Sequence, residues 1–133
     1  MMAYALAHAQ DAAATYRRID VAGRTAGADG PALVQLLYEE LVSALRAAAF
    51  AAERGQGARK SERVTRATAI LFALEAGLDH AGNPELSATL SRLYAGARRT
   101  IVEAAIGHDP QPFRGAAAML DEIAGAWRTA RAA

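Results

Sequence analysis

Residues 64–78, VTRATAILFALEAGL, indicate the fold class of this chain. Their apolar residues recur at steps of three and four, which is the spacing of one face of a helix that packs against other helices. The members of this stripe are Val64, Ala67, Leu71, Leu74 and Leu78. The pattern predicts a core-facing helix from about residue 61 to about residue 80, ended by the turn at residues 81–84.

Three further stretches carry stripes of the same kind. The first begins near Asp29, with Pro31 in its first turn, the next opens at Pro84, and the last follows Asp109 as a helix cap. Their apolar members are, in chain order, Leu33, Leu37, Leu41 and Leu45; Leu86, Leu90, Leu93, Ala97, Ile101 and Ala104; and Phe113, Ala116, Leu120, Ile123, Trp127 and Ala130. Short connections place successive helices antiparallel. The sequence therefore predicts an all-α, antiparallel up-down-up-down four-helix bundle over residues 31–133.

Residues 1–30 precede these stripes and differ from them in composition. Three glycines fall within residues 23–30, and polar residues alternate with Tyr16, Ile19 and Val21. This pattern predicts an extended or partly helical, mobile leader. Its three sizeable apolar residues leave two interpretations open: plain disorder, or docking of the leader on the bundle.

Size and composition fit one cysteine-free domain. The chain has 133 residues and a formal net charge of +1, so its charge gives no argument for binding nucleic acid or membranes. No apolar run approaches the roughly 18–20 residues that span a bilayer. His8, Gln10 and Asp11 interrupt any signal-peptide core. We expect a cytoplasmic protein.

The stripes contain no recognisable catalytic or metal-binding set. There is no cysteine and no Glu-x-x-His motif, and the histidines His8, His80 and His108 lie in the leader or near predicted helix ends. The adjacent carboxylate pairs, at residues 39–40 and 121–122, point in different directions on a helix and make no acid/base dyad. We expect no enzyme activity, no cofactor and no metal, and a protein that works through its surfaces.

Two groups of side chains leave alternatives open. Arg59, Lys60, Arg63 and Arg66 form a basic cluster without interleaved aromatic residues, which favours a solvated face or a contact to an acidic partner over a nucleic-acid site. Two tyrosines that each follow a leucine, at positions 38 and 94, indicate either packing at the edge of the bundle or the lining of a groove.

An ordered set of motifs resembles the flagellar secretion chaperone family FliS. The set comprises the leader tyrosine Tyr16, the segment PALVQLLYEEL at 31–41, residues 69–78, LSRLY at 90–94 with Arg98 and Arg99, LDEI at 120–123, and Ala126-Trp127-Arg128. The similarity covers about residues 16–131. The chain departs from the family at the start of its first helix, where Asp29-Gly30-Pro31-Ala32 replaces the usual Ser-Pro-Glu.

The resemblance implies a partner and a set of contact residues. Family members bind the disordered C-terminal segment of flagellin, prevent its premature polymerisation and assist its delivery to the flagellar type III export apparatus, whose export gate is a second expected partner. The family tyrosine that can occupy the client groove corresponds to Tyr16, and we add Ile19 and Val21 as neighbours in a displaceable lid. For the groove itself we predict Leu37, Tyr38, Leu71, Leu74, Leu78, Leu90, Leu93 and Tyr94.

One alternative function remains open at this point. A generic helical-bundle adaptor or regulator with another protein client would carry the same stripes. Exchange of a leader or helix between protomers could also build a homo-oligomer.

Overall fold

The computed structural model describes residues 30–78 and 80–132, which form four helices without strands in that part of the chain. They are α1 (Gly30–Glu53), α2 (Gly57–Ala76), α3 (Pro84–Ala104) and α4 (Gln111–Ala132). The predicted all-α four-helix fold is confirmed. Of the predicted leader at residues 1–30, residues 1–29 lie outside the described residues, and Gly30 is the first residue of α1.

The helix boundaries follow local signals in the sequence. After α1, Gly55 has φ of 67°, the Gln56 amide donates to the Ala51 carbonyl at 2.9 Å, and the Gly55 amide donates to the Ala52 carbonyl at 3.3 Å. These two bonds form a Schellman motif, which favours glycine at the left-handed position. The helix α2 begins at Gly57, four residues before the predicted start, because the motif reverses the chain in only three residues.

The helices α3 and α4 each begin with a side-chain cap. The Asn83 carboxamide oxygen accepts a hydrogen bond from the Leu86 amide at 3.1 Å, and the Asp109 carboxylate accepts one from the Gln111 amide at 3.0 Å. Such caps satisfy amide groups that the first turn of a helix leaves without partners. The predicted cap at Asp109 is therefore present, whereas the cap at Asn83 was not foreseen.

The helix α1 is the centre of the packing. It packs extensively against α2 and against α4, while α3 packs against α2 and makes its smallest contact with α4. The core is continuous and contains most of the predicted stripe residues, including Leu41, Leu71, Ile101 and Leu120, all with no more than 1% exposure. Alanines line much of the buried face of α1 and let its neighbours approach closely.

An aromatic cluster crosses the interior of the bundle. The hydroxyl groups of Tyr38 on α1 and Tyr94 on α3 form a hydrogen bond although the backbones of these helices do not meet. The Trp127 ring of α4 lies with its centroid 6.4 Å from that of Tyr38. Tilted aromatic pairs at this separation add to the free energy gained by burial. The two tyrosines therefore lie in the core, which favours internal packing over the lining of an open groove.

We expect Tyr38→Phe and Tyr94→Phe each to lower the free energy of unfolding by about 1 kcal/mol, because each removes one side of a buried hydrogen bond. The double variant should lose less than the sum, with a coupling of about 0.5–1 kcal/mol, because one bond cannot be lost twice. Urea denaturation of all four proteins of the cycle measures both values. Strictly additive losses would contradict the hydrogen bond.

The single lysine of the chain joins the first turn of α2 to a loop at one end of the bundle. Lys60 is only 7% exposed, and its Nζ donates to the Gly107 carbonyl at 2.7 Å. Gly107 follows the C-terminal end of α3, where free carbonyl groups favour a positive charge. The first turn of α2 is thus bonded to the connection between α3 and α4.

Candidate binding groove

An open groove of about 700 Å³ runs between α3 and α4. Its lining residues come from both helices, and small or apolar side chains predominate among them: Arg92, Leu93, Gly96, Ala97, Arg99, Thr100, Pro112, Gly115, Ala116 and Met119. Met119 is 36% exposed at its edge. The volume lies within the range of ordinary ligand sites.

The groove exists because small residues of α3 and α4 face each other, and because each of these two helices packs mainly against a different helix. A Cβ atom added at Gly96 or at Gly115 would meet nothing within 4 Å. The position of α4 is fixed mainly by α1, and that of α3 mainly by α2. Since the facing side chains are too short to fill the remaining space, α3 and α4 stay separated along this side.

The ion pairs between helices join the same pairs of helices that pack most extensively against each other. Arg66 of α2 pairs with Glu40 of α1 at 3.1 Å, and Arg46 of α1 approaches Asp121 of α4 at 3.6 Å. Further pairs join α2 to α3 and α1 to α4. Within residues 30–78 and 80–132, no ion pair joins α3 to α4. Charge therefore does not hold the groove closed.

A second, smaller groove lies on the other side of α3. It has a volume of about 370 Å³ and lies between α3 and Thr68 of α2. Val102, at its edge, is 50% exposed. Phe72, one helical turn after Thr68, is 55% exposed. Apolar surface is thus available on both sides of α3.

The structure places the predicted contact residues in three groups. Leu93 is partly buried and lines the groove between α3 and α4. Seven others are buried in the core: Leu37, Tyr38, Leu71, Leu74, Leu78, Leu90 and Tyr94. The leader residues Tyr16, Ile19 and Val21 lie outside the described residues. Direct contact between a client and the seven buried side chains stays a prediction, and it requires the helices to move.

The basic cluster at the start of α2 does not form one surface. Lys60 is buried against Gly107, Arg63 pairs with its neighbour Glu62, and Arg66 pairs with Glu40 across the helix interface. Only Arg59 of the four is exposed. The four basic side chains therefore do not offer one basic surface to a nucleic acid.

Sequence reasoning missed the residues that open the groove. Gly96 and Gly115 lie inside α3 and α4, where glycine lowers helix stability by about 1 kcal/mol relative to alanine. Pro112, Gly115 and Met119 also repeat at a helical spacing beside the main stripe of α4. An interior glycine next to a second, weaker stripe was the signal that could have located the groove.

The described residues thus form an all-helical bundle of four helices with an open, apolar-floored groove between two of them. None of the helices in the described ranges has the length and apolarity that crossing a membrane requires. The family model described as "Flagellar protein FliS" matches residues 11–133. The flagellar secretion chaperone FliS of Salmonella typhimurium is 30% identical over 114 residues, which cover 85% of this chain and 84% of that protein. The chain belongs to the FliS family of flagellar secretion chaperones, which is not an enzyme family.

Proposed function

We propose that this protein is a cytoplasmic chaperone that binds the disordered C-terminal segment of flagellin and delivers it to the flagellar type III export apparatus. The observation that supports this most directly is the groove between α3 and α4, together with membership of the family. A client segment that folds into an amphipathic helix could place its apolar face on the floor formed by Gly96, Ala97, Gly115 and Ala116.

The proposed activity is physical and needs no reacting group. An unfolded flagellin segment exposes an apolar stripe that can pair with other copies, and seating this stripe in the groove removes it from water. Ordering the segment costs conformational entropy, so contacts must extend over a large surface to offset this cost. The exposed Phe72 and Val102 beside the second groove would extend that surface around α3.

The test is co-purification of the full chain with flagellin that has or lacks its C-terminal segment. We expect a stable 1:1 complex only when the segment is present. Isothermal titration calorimetry of the isolated segment should show a negative heat-capacity change, since apolar area is buried. Retention of a different protein client together with no flagellin binding would favour the adaptor function instead.

The leader is proposed to act as a displaceable lid through Tyr16, Ile19 and Val21. Deleting residues 1–24 is expected to raise the association rate of the flagellin segment, because a competing occupant of the groove is removed. Circular dichroism and urea denaturation should show that the bundle of α1 to α4 stays folded, since these four helices lie within residues 30–132. An unchanged affinity together with unchanged kinetics would remove the lid from the proposal.

A further inference from the structure

Two arginine side chains of α3 lie at the edge of the groove between α3 and α4. Arg92 and Arg99 both line this groove, and both are exposed. They are seven positions apart in the sequence. This separation is close to two helical turns, so both project from the same face of α3, about 10 Å apart along its axis.

Within the described residues, neither guanidinium group has a counter-charge. No residue in the described ranges forms an ion pair or a hydrogen bond with the side chain of Arg92 or Arg99, whereas the neighbouring Arg98 pairs with Glu75. No carboxylate is present among the groove-lining residues. Two positive charges therefore border an apolar floor without compensation from the bundle.

We infer that this groove selects a client helix whose apolar face is flanked, on the side of α3, by two carboxylates seven residues apart. The inference rests on the proposed function and names the chemistry of the flagellin segment that this site accepts. The match is geometric, because residues seven apart on any α-helix project from one face at the same spacing as Arg92 and Arg99.

The charge pattern determines which helix is accepted. Seating a helix on the floor excludes water from the edge of α3, which strengthens a guanidinium–carboxylate pair. Arginine suits this role because its planar donor groups can bind both oxygens of a carboxylate. A helix with neutral or basic residues at these two positions would leave both guanidinium groups partly desolvated without partners. Specificity therefore arises both from the attraction of carboxylates and from the desolvation cost that other helices incur.

The experiment compares two ligands on three versions of the full chain. The ligands are the flagellin C-terminal segment and a copy in which every Asp and Glu is replaced by Asn and Gln. The proteins are the wild type, the double variant Arg92→Gln/Arg99→Gln, and the control Arg59→Gln/Arg128→Gln. The control removes the same charge from exposed arginines that do not line this groove. Circular dichroism verifies that all three proteins are folded.

The natural segment is expected to bind the groove variant about tenfold more weakly than the wild type, and raising the salt concentration should reduce this difference. The control should change the affinity by less than about threefold, because exposed charges outside the groove contribute little. The neutral copy should bind the groove variant at least as tightly as the wild type, because the variant lacks the guanidinium groups that a neutral helix would leave desolvated without partners. Equal affinity of the natural segment for the groove variant and the control would overturn the inference while leaving the chaperone function intact. Failure of both ligands to bind the wild type would overturn the proposed function, and this inference with it.

Discussion

Replacing Gly115 with leucine is expected to weaken binding of the flagellin C-terminal segment by about tenfold or more, because the new side chain overpacks the floor on which the client would lie. The bundle itself should tolerate the change. A Cβ at this position meets nothing within 4 Å, and leucine is a better helix former than glycine by nearly 1 kcal/mol. We therefore expect an equal or higher free energy of unfolding together with a large loss of affinity.

The matched control for this variant is Ala118→Leu. Ala118 is exposed on the same helix but does not line the groove. Calorimetric titration of both variants with the segment, combined with urea denaturation, separates an effect on the site from an effect on the fold. If Gly115→Leu binds the segment as tightly as Ala118→Leu does, the client does not lie between α3 and α4.

Replacing Phe113 with alanine is expected to lower the free energy of unfolding by about 3–5 kcal/mol. Phe113 has no exposed surface and lies in the first turn of α4, just after the Asp109 cap. Its loss leaves a cavity in the core that α4 shares with α1, which the small side chains of the region cannot fill. Because a domain of this size is stabilised by only about 5–15 kcal/mol, this one change removes a large share of the total.

The same substitution on the surface provides the comparison. Phe72 is 55% exposed on α2, and Phe72→Ala should change the free energy of unfolding by less than about 1 kcal/mol. Urea denaturation followed by circular dichroism measures both values. Similar losses for the two variants would mean that Phe113 is not packed as the structure describes.

The fold could be predicted because leucines such as Leu71, Leu74 and Leu120 repeat with the period of a helix and the chain has clear breaks between its stripes. Burial of these residues follows, since each stripe needs an apolar neighbour. The predicted start of α2 is four residues late because glycine has a low helix propensity, and Gly57 is the first residue of this helix. Of Gly55 and Gly57, only Gly55 adopts the left-handed conformation, and Gly57 is already helical.

The groove could not be located from periodicity, because a stripe of apolar residues does not show whether it packs against another helix of the bundle or against a client. Leu90 and Leu93 belong to the same predicted stripe, yet Leu90 is buried and Leu93 borders open space. Their difference depends on how closely α4 approaches α3, which is decided by α1 and by the missing side chains of Gly96 and Gly115. Such a distance depends on contacts among all four helices and is not encoded in any single one.

Because Lys60 is buried, proteolytic cleavage after this residue can measure local unfolding of the bundle. A protease that cuts only after lysine has a single target, and the bond to Gly107 holds that target inside the first turn of α2. Cleavage must wait until this end of the bundle unfolds, so under mild digestion its rate follows the population of the opened state. Digestion with and without the flagellin segment would then measure how far client binding stabilises the bundle. No dye or engineered site is needed, and the leader stays uncut because it contains no lysine.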